Sequence, residues 1–112
     1  MVLMKVKSTS VTSFEIHKDT KFVHGSAFSD CTDLVSIIVP DGLISIGMWA
    51  TYDCENLSVI YYGGSADNWD QVLIKDLNNI DYTTTIYYYS ESQPTTEGNW
   101  WHYVNNVPTA WE

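Results

Sequence analysis

The apolar residues of this chain recur as a three-member set with fixed internal spacing. In "VTSFEIH" they are Val11, Phe14 and Ile16, in "LVSIIVP" Leu34, Ile37 and Val39, and in "LSVIYYG" Leu57, Ile60 and Tyr62. The step from Val11 to Leu34 is the same as the step from Leu34 to Leu57, so the sets repeat at a constant offset. The last two members of a set are separated by one residue, the alternation of a strand with one buried face. A fourth copy, "TTTIYYY" from Thr83 to Tyr89, follows after a slightly longer step, from Ile60 to Ile86. The skipped residue of each copy faces the other way: Glu15, Ile38, Tyr61 and, by extension, Tyr87. Parallel stacking lines these four up in one outward row.

The same register runs between the strands, pairing Ala27 with Ala50, Asp30 with Asp53, Cys31 with Cys54 and Val23 with Ile46. A unit this short cannot bury its own apolar face, whereas stacked copies bury it against each other, so the pattern predicts a solenoid. Pro40 and Gly42 supply turn chemistry, and a short second extended piece is expected around Ile44 to Ile46. "SAFSDC" reads as one helical turn with Ser26 as its N-cap.

Charge narrows the partners. The chain has 112 residues, one small domain, and carries five Lys and Arg against fourteen Asp and Glu, a net charge of −9. That sign opposes nucleic acid and anionic membrane surfaces. No stretch approaches the roughly 20 apolar residues of a membrane span, and "MVLMKVKSTS" is not a signal peptide. Two cysteines are too few for a disulfide scaffold or a four-ligand zinc site.

With these residues in place, "SAFSDCTDLVSIIVPDGLISIG" resembles the leucine-rich repeats of the BspA type, whose pattern is close to A-F-x-x-C-x-x-L-x-x-I-x-I-P-x-x-[VL]-x-x-I-G. Ala27, Phe28, Cys31, Leu34, Ile37, Val39, Pro40, Leu43, Ile46 and Gly47 fall on it. The next copy supplies Ala50, Cys54, Leu57 and Ile60, and departs at Thr51, where Phe is usual, and at Gly63, where Pro is usual. The first copy has His17 at the Pro position and His24 where Gly is usual. "YYGGSADNWDQVLI" and the segment from "TTIYYY" to the last residue are similar to the C-terminal cap that follows such repeats. The resemblance implies a β-rich leucine-rich-repeat solenoid, of short parallel strands with one-turn helices, closed by a C-terminal β-hairpin. It also implies a bacterial surface or secreted protein, extracellular in location, that acts in adhesion and protein–protein contact and has no catalytic repeat residues.

Three regions follow: 1–10 as a partial first coil or N-terminal cover, 11–64 as repeats, and 65–112 as the cap. Ser65 is expected to N-cap a short helix, with Asp67 at its positive end and Trp69, Val72 and Ile74 packing it on the last coil. Asn105-Asn106 is expected at the turn of a closing hairpin. Stepping back by one repeat places Met4 at the Ala27 position and Ser8 at the Cys31 position, so the first coil is incomplete and the array is expected to extend further. An open N-terminal end is a strand edge, and a homo-oligomer through it is one expectation.

For chemistry, the repeat assigns each cysteine to a bend before its strand, capping backbone groups of the turn. A Cys31–Cys54 bridge is conceivable, since stacked coils lie about 4.8 Å apart, but in-register side chains point the same way, which opposes it. His17, His24 and His102 lack metal-ligand spacing, and Asp30, Asp33, Asp53 and Glu55 read as a solvated face over a weak calcium site. No metal or cofactor is expected, and no phosphate loop, nucleophile elbow or carboxylate pair points to an enzyme. The candidate binding residues are the outward row, Glu15, Ile38, Tyr61 and Tyr87, together with Trp100 and Trp101. Alternation in "NWWHYV" leaves at least one of those two tryptophans outside the core. A protein partner suits the row, a glycan is the alternative for the tryptophans, and a purely structural C-terminal cap of a longer repeat array is the remaining reading.

Overall fold

The computed structural model describes residues 1–6, 10–74 and 84–111. Two sheets wind along one solenoid. The longer one carries the repeated strands β2 (Ser13–Glu15), β4 (Ser36–Val39), β6 (Val59–Tyr62) and β8 (Thr85–Tyr89) side by side and parallel. The second contains β1 (Val2–Leu3), β3 (Phe22–Val23), β5 (Ser45–Ile46) and β7 (Leu73–Ile74), also parallel. The expected extended piece at 44–46 is thus one member of a whole second ladder. Thr83, placed in the fourth copy from sequence, lies outside the described residues.

The core is the predicted set of positions. Ile16, Leu34, Ile37, Val39, Leu57, Ile60 and Tyr62 are buried, and Val11, Phe14 and Ile86 pack against them. Burying such side chains contributes roughly 1.5–3 kcal/mol each, which is what a stack of such short strands requires. Phe14 and Phe28 add an edge-on ring pair with centroids 5.3 Å apart.

The coil corners differ from expectation. Residues 25–30 and 48–53 are chains of hydrogen-bonded turns, not helical turns. Ser26 has φ 69° and Asp30 φ 64°, and the repeat returns the same conformation at Trp49 (φ 68°) and Asp53 (φ 61°). A helix N-cap needs extended backbone, so Ser26 cannot serve as one. The Ser29 and Cys31 amides donate to Ser26 and Phe28, and the Tyr52 and Cys54 amides do the same to Trp49 and Thr51. Between coils, the Phe28 amide donates to the Ala50 carbonyl at 2.7 Å. Gly25 and Gly47 let the corners meet, because a Cβ on Gly47 would lie 2.5 Å from the Gly25 nitrogen. His24 holds the Gly47 position of the first copy, since the Ala27 amide donates to His24 as the Ala50 amide does to Gly47.

At the N-terminal end, the Val6 amide donates to the Ala27 carbonyl as Phe28 does to Ala50, so Val6 takes the Phe28 position. Lys5, not Met4, then stands where Ala27 does. The register slips because Val2 pairs with Phe22 and Phe22 with Ser45, which makes the first coil shorter than the second. Ser8 lies outside the described residues.

The helix α1 (Ala66–Trp69) opens as its sequence dictates. The Asn68 amide donates to the Ser65 hydroxyl at 3.2 Å, and Asp67 sits in the first turn. Trp69 packs on Tyr62 at 5.0 Å, and Asp41 ties the region together by accepting from Asn68 Nδ2 at 3.1 Å. The strands β9 (Trp100–Val104) and β10 (Val107–Ala110) form an antiparallel hairpin around Asn105 (φ 52°) and Asn106 (φ 66°), the paired left-handed residues of a tight turn. β9 also runs parallel beside β8, pairing Tyr88 with Trp100 and Tyr89 with Trp101.

Candidate functional site

Parallel pairing puts Glu15, Ile38, Tyr61 and Tyr87 directly beside one another along the long sheet. Glu15 is exposed and the other three are half-buried. Tyr61 and Tyr87 contact each other with ring centroids 5.7 Å apart.

The two tryptophans part company, as strand alternation requires. Trp100 stands opposite Tyr88 and is half-buried, its indole N–H donating to the Thr96 carbonyl at 3.2 Å. Trp101 lies on the outward face, yet it is only 1% exposed. Tyr61, Tyr89 and Tyr103 surround its ring at 5.3, 5.2 and 5.0 Å. Its indole N–H donates to the Tyr62 carbonyl at 2.7 Å. A ring so enclosed offers no free face for stacking, and it acts instead as a wall.

The hairpin leans over the sheet. Trp101 and Tyr103 of β9 share a cleft with Glu15 of β2, although β8, β6 and β4 lie between those strands in sheet order. This cleft has a volume of about 220 Å³ and opens at the C-terminal ends of the repeated strands. Ile38 and Glu15 bound it on one side, with Lys18 just beyond β2, while Tyr89, Trp101 and Tyr103 bound it on the other. Burial, then Glu15, then Tyr89 push the Tyr103 hydroxyl above its ordinary range. Burial, with Tyr87 second, does the same to Tyr61. Sequence reasoning missed Lys18 and the inward lean of Tyr103. The alternation from Trp101 to Tyr103 was visible, but nothing local told that the hairpin folds back.

The cysteines are elsewhere. Both are buried free thiols, and the Cys54 thiol donates to the Phe28 carbonyl at 3.0 Å. This is the corner-capping role the repeat assigns. Burial pushes Cys54 up to about 11 and raises Cys31 as well, the opposite of an activated nucleophile. Asp30 and Asp53 hold left-handed turn positions, and among the described residues no group of three His, Cys, Asp or Glu could hold a metal ion. His17 Nδ1 accepts from the Asp19 amide at 3.1 Å, and His102 stacks on Trp111 with centroids 3.7 Å apart. Among the described residues no helix is long and apolar enough to cross a membrane.

Coils of short parallel strands, cysteine-bearing corners and a continuous outward row define a leucine-rich-repeat solenoid. The family model for the BspA type leucine-rich repeat region, in six copies, matches residues 6–93. The chain belongs to that family, whose repeats build protein-interaction modules. No curated protein and no solved structure gives a significant match to the chain.

Proposed function

We propose that this chain is a non-enzymatic protein-binding module of a bacterial surface or secreted protein, working in adhesion. The outward row and the cleft beside it are the surface that receives the partner, a host or neighbouring surface protein. The observation that carries this reading is the half-buried Ile38 beside Tyr61 and Tyr87 on a sheet face edged by a preformed cleft. Apolar and aromatic side chains gathered around a concavity are the usual makings of an interface centre. Neither buried thiol is activated for catalysis, in keeping with a binding role. Membership of the BspA type supports a surface or secreted location.

The test is partner capture by immobilised protein, comparing wild type with Ile38→Ala and Tyr61→Ala. Loss of a specific surface-protein partner in both variants, with unchanged folding, is the expected result. Capture that survives both substitutions means the long sheet is not the binding face. A glycan array on the wild type covers sugar binding through Trp100. A specific glycan signal lost in Trp100→Ala would replace the protein-binding reading.

A further inference from the structure

The cleft also has a chemical preference. Three aromatic rings, Tyr89, Trp101 and Tyr103, cluster with centroid separations of 5.2, 5.0 and 6.5 Å. The carboxylate of Glu15 shares their cleft from the other side. Tyr89 and Tyr103 keep 38% and 42% of their surface exposed, so their rings are open to a ligand while Trp101 backs them. We propose that this cleft receives an arginine side chain of the partner protein, its guanidinium lying against Tyr89 and Tyr103 and paired with Glu15. This rests on the protein-binding role proposed above.

Three lines of physical chemistry support it. A guanidinium against aromatic rings is attracted by their negative faces, and arginine is the commoner cation in such contacts because its planar head stacks and is weakly hydrated. A carboxylate at the rim supplies the complementary charge and a two-pronged acceptor. The protein as a whole carries −9, so a cationic segment is drawn toward it. The raised Tyr103 hydroxyl agrees with a neutral ring lying near Glu15. Lys18 lines the same cleft and opposes an incoming cation, which gives a second handle of opposite sign.

The experiment is an amide NMR titration of the whole chain with Nα-acetyl-arginine-N-methylamide, alongside the lysine analogue and the neutral citrulline analogue. The arginine probe is expected to shift the Trp101 indole N–H and the amides of Glu15, Ile38 and Tyr103, and citrulline to shift none of them. Glu15→Gln should weaken the arginine probe roughly three- to tenfold, and Lys18→Gln should strengthen it by about twofold or more. Equal shifts from arginine and citrulline, or no response to Glu15→Gln, would overturn the assignment. A lysine probe binding as well as arginine would overturn the guanidinium preference. Partner capture separates the two proposals. If Glu15→Gln leaves capture unchanged while Ile38→Ala abolishes it, the sheet face stands and the arginine cleft falls. If neither Ile38→Ala nor Tyr61→Ala affects capture, the binding face itself falls.

Discussion

Trp101 donates its indole N–H to the backbone carbonyl of Tyr62 at 2.7 Å, and both residues are 1% exposed. That one bond joins the closing hairpin to the third repeated strand, across the intervening β8. The Tyr62 carbonyl lies in the last pair of the β6–β8 ladder, and the indole N–H is a further donor that fills its second acceptor site. Trp101→Phe removes that second donor while the β6–β8 ladder still holds the oxygen, so it should cost roughly 0.5–1.5 kcal/mol. Trp101→Ala also empties the space among three tyrosines and should cost roughly 3–5 kcal/mol. Urea-unfolding midpoints measure both. A Phe variant as stable as wild type would mean the bond contributes nothing.

The contact between Gly25 and Gly47 makes a second prediction. A Cβ on Gly47 would lie 2.5 Å from the Gly25 nitrogen and 2.9 Å from its Cα. The obstruction is backbone on a neighbouring coil, so no side chain can swing away. Gly47→Ala must separate the corners and should cost roughly 1–3 kcal/mol, the range of an overpacked core. Gly63→Ala is the comparison, since its nearest neighbour would be the Asp41 nitrogen at 3.2 Å, and it should cost less. Thermal melts of the two variants give the ranking.

These two contacts also mark how far the sequence could be read. The strands of the long sheet and the outward register from Glu15 to Tyr87 follow from a spacing that returns the same apolar types once per coil. The second sheet was legible only at Ser45–Ile46, because strands that short carry no alternation. The corner at Ser26 looked helical because Ser is a favoured N-cap, yet interlocking turns win there through left-handed residues at both ends. Trp49 in that conformation is unexpected from propensity, since a bulky side chain with positive φ costs about 1–2 kcal/mol. Alternation put Trp100 and Trp101 on opposite faces without telling which one turns outward. Nor could it tell that the hairpin bends back over the outward face, which depends on contacts with Tyr61 and Tyr62, far earlier in the chain.

The hairpin turn makes a third prediction. Asn105 and Asn106 both take positive φ, at 52° and 66°, and glycine adopts that region without strain. Asn-Gly is the favoured pair for such a turn. Asn106→Gly is expected to be close to neutral, relief of the positive φ offsetting the freedom glycine gains in the unfolded chain, and Asn106→Val to be destabilising. Because the hairpin carries Trp101 and Tyr103, a loosened turn should also broaden the NMR signals of the cleft. A valine variant matching wild type in both respects would show that the turn does not position the hairpin.

Alkaline pH should destabilise the protein in a defined window. Burial raises Cys54 from 9.0 to about 11 and Tyr62 from 10.0 to about 12, with the Asp41 carboxylate and its hydrogen bond adding to the rise at Tyr62. A raised folded-state value means the folded protein holds the proton more tightly than the unfolded chain. The resulting stability is complete below the unfolded value and is lost as pH climbs through the folded one. For Cys54 the loss runs from pH 9.0 to about 11, and Tyr62 extends it toward 12. A rise of that size at one buried thiol corresponds to something on the order of 2 kcal/mol. Urea unfolding should therefore give a flat stability up to about pH 9.0 and a decline above it. Cys54→Ala lowers the baseline by losing the bond to the Phe28 carbonyl, but it should shrink the early part of that decline to the share of Cys31. If the variant's pH dependence between 9.0 and about 11 matches that of wild type, the thiol is not the group that titrates.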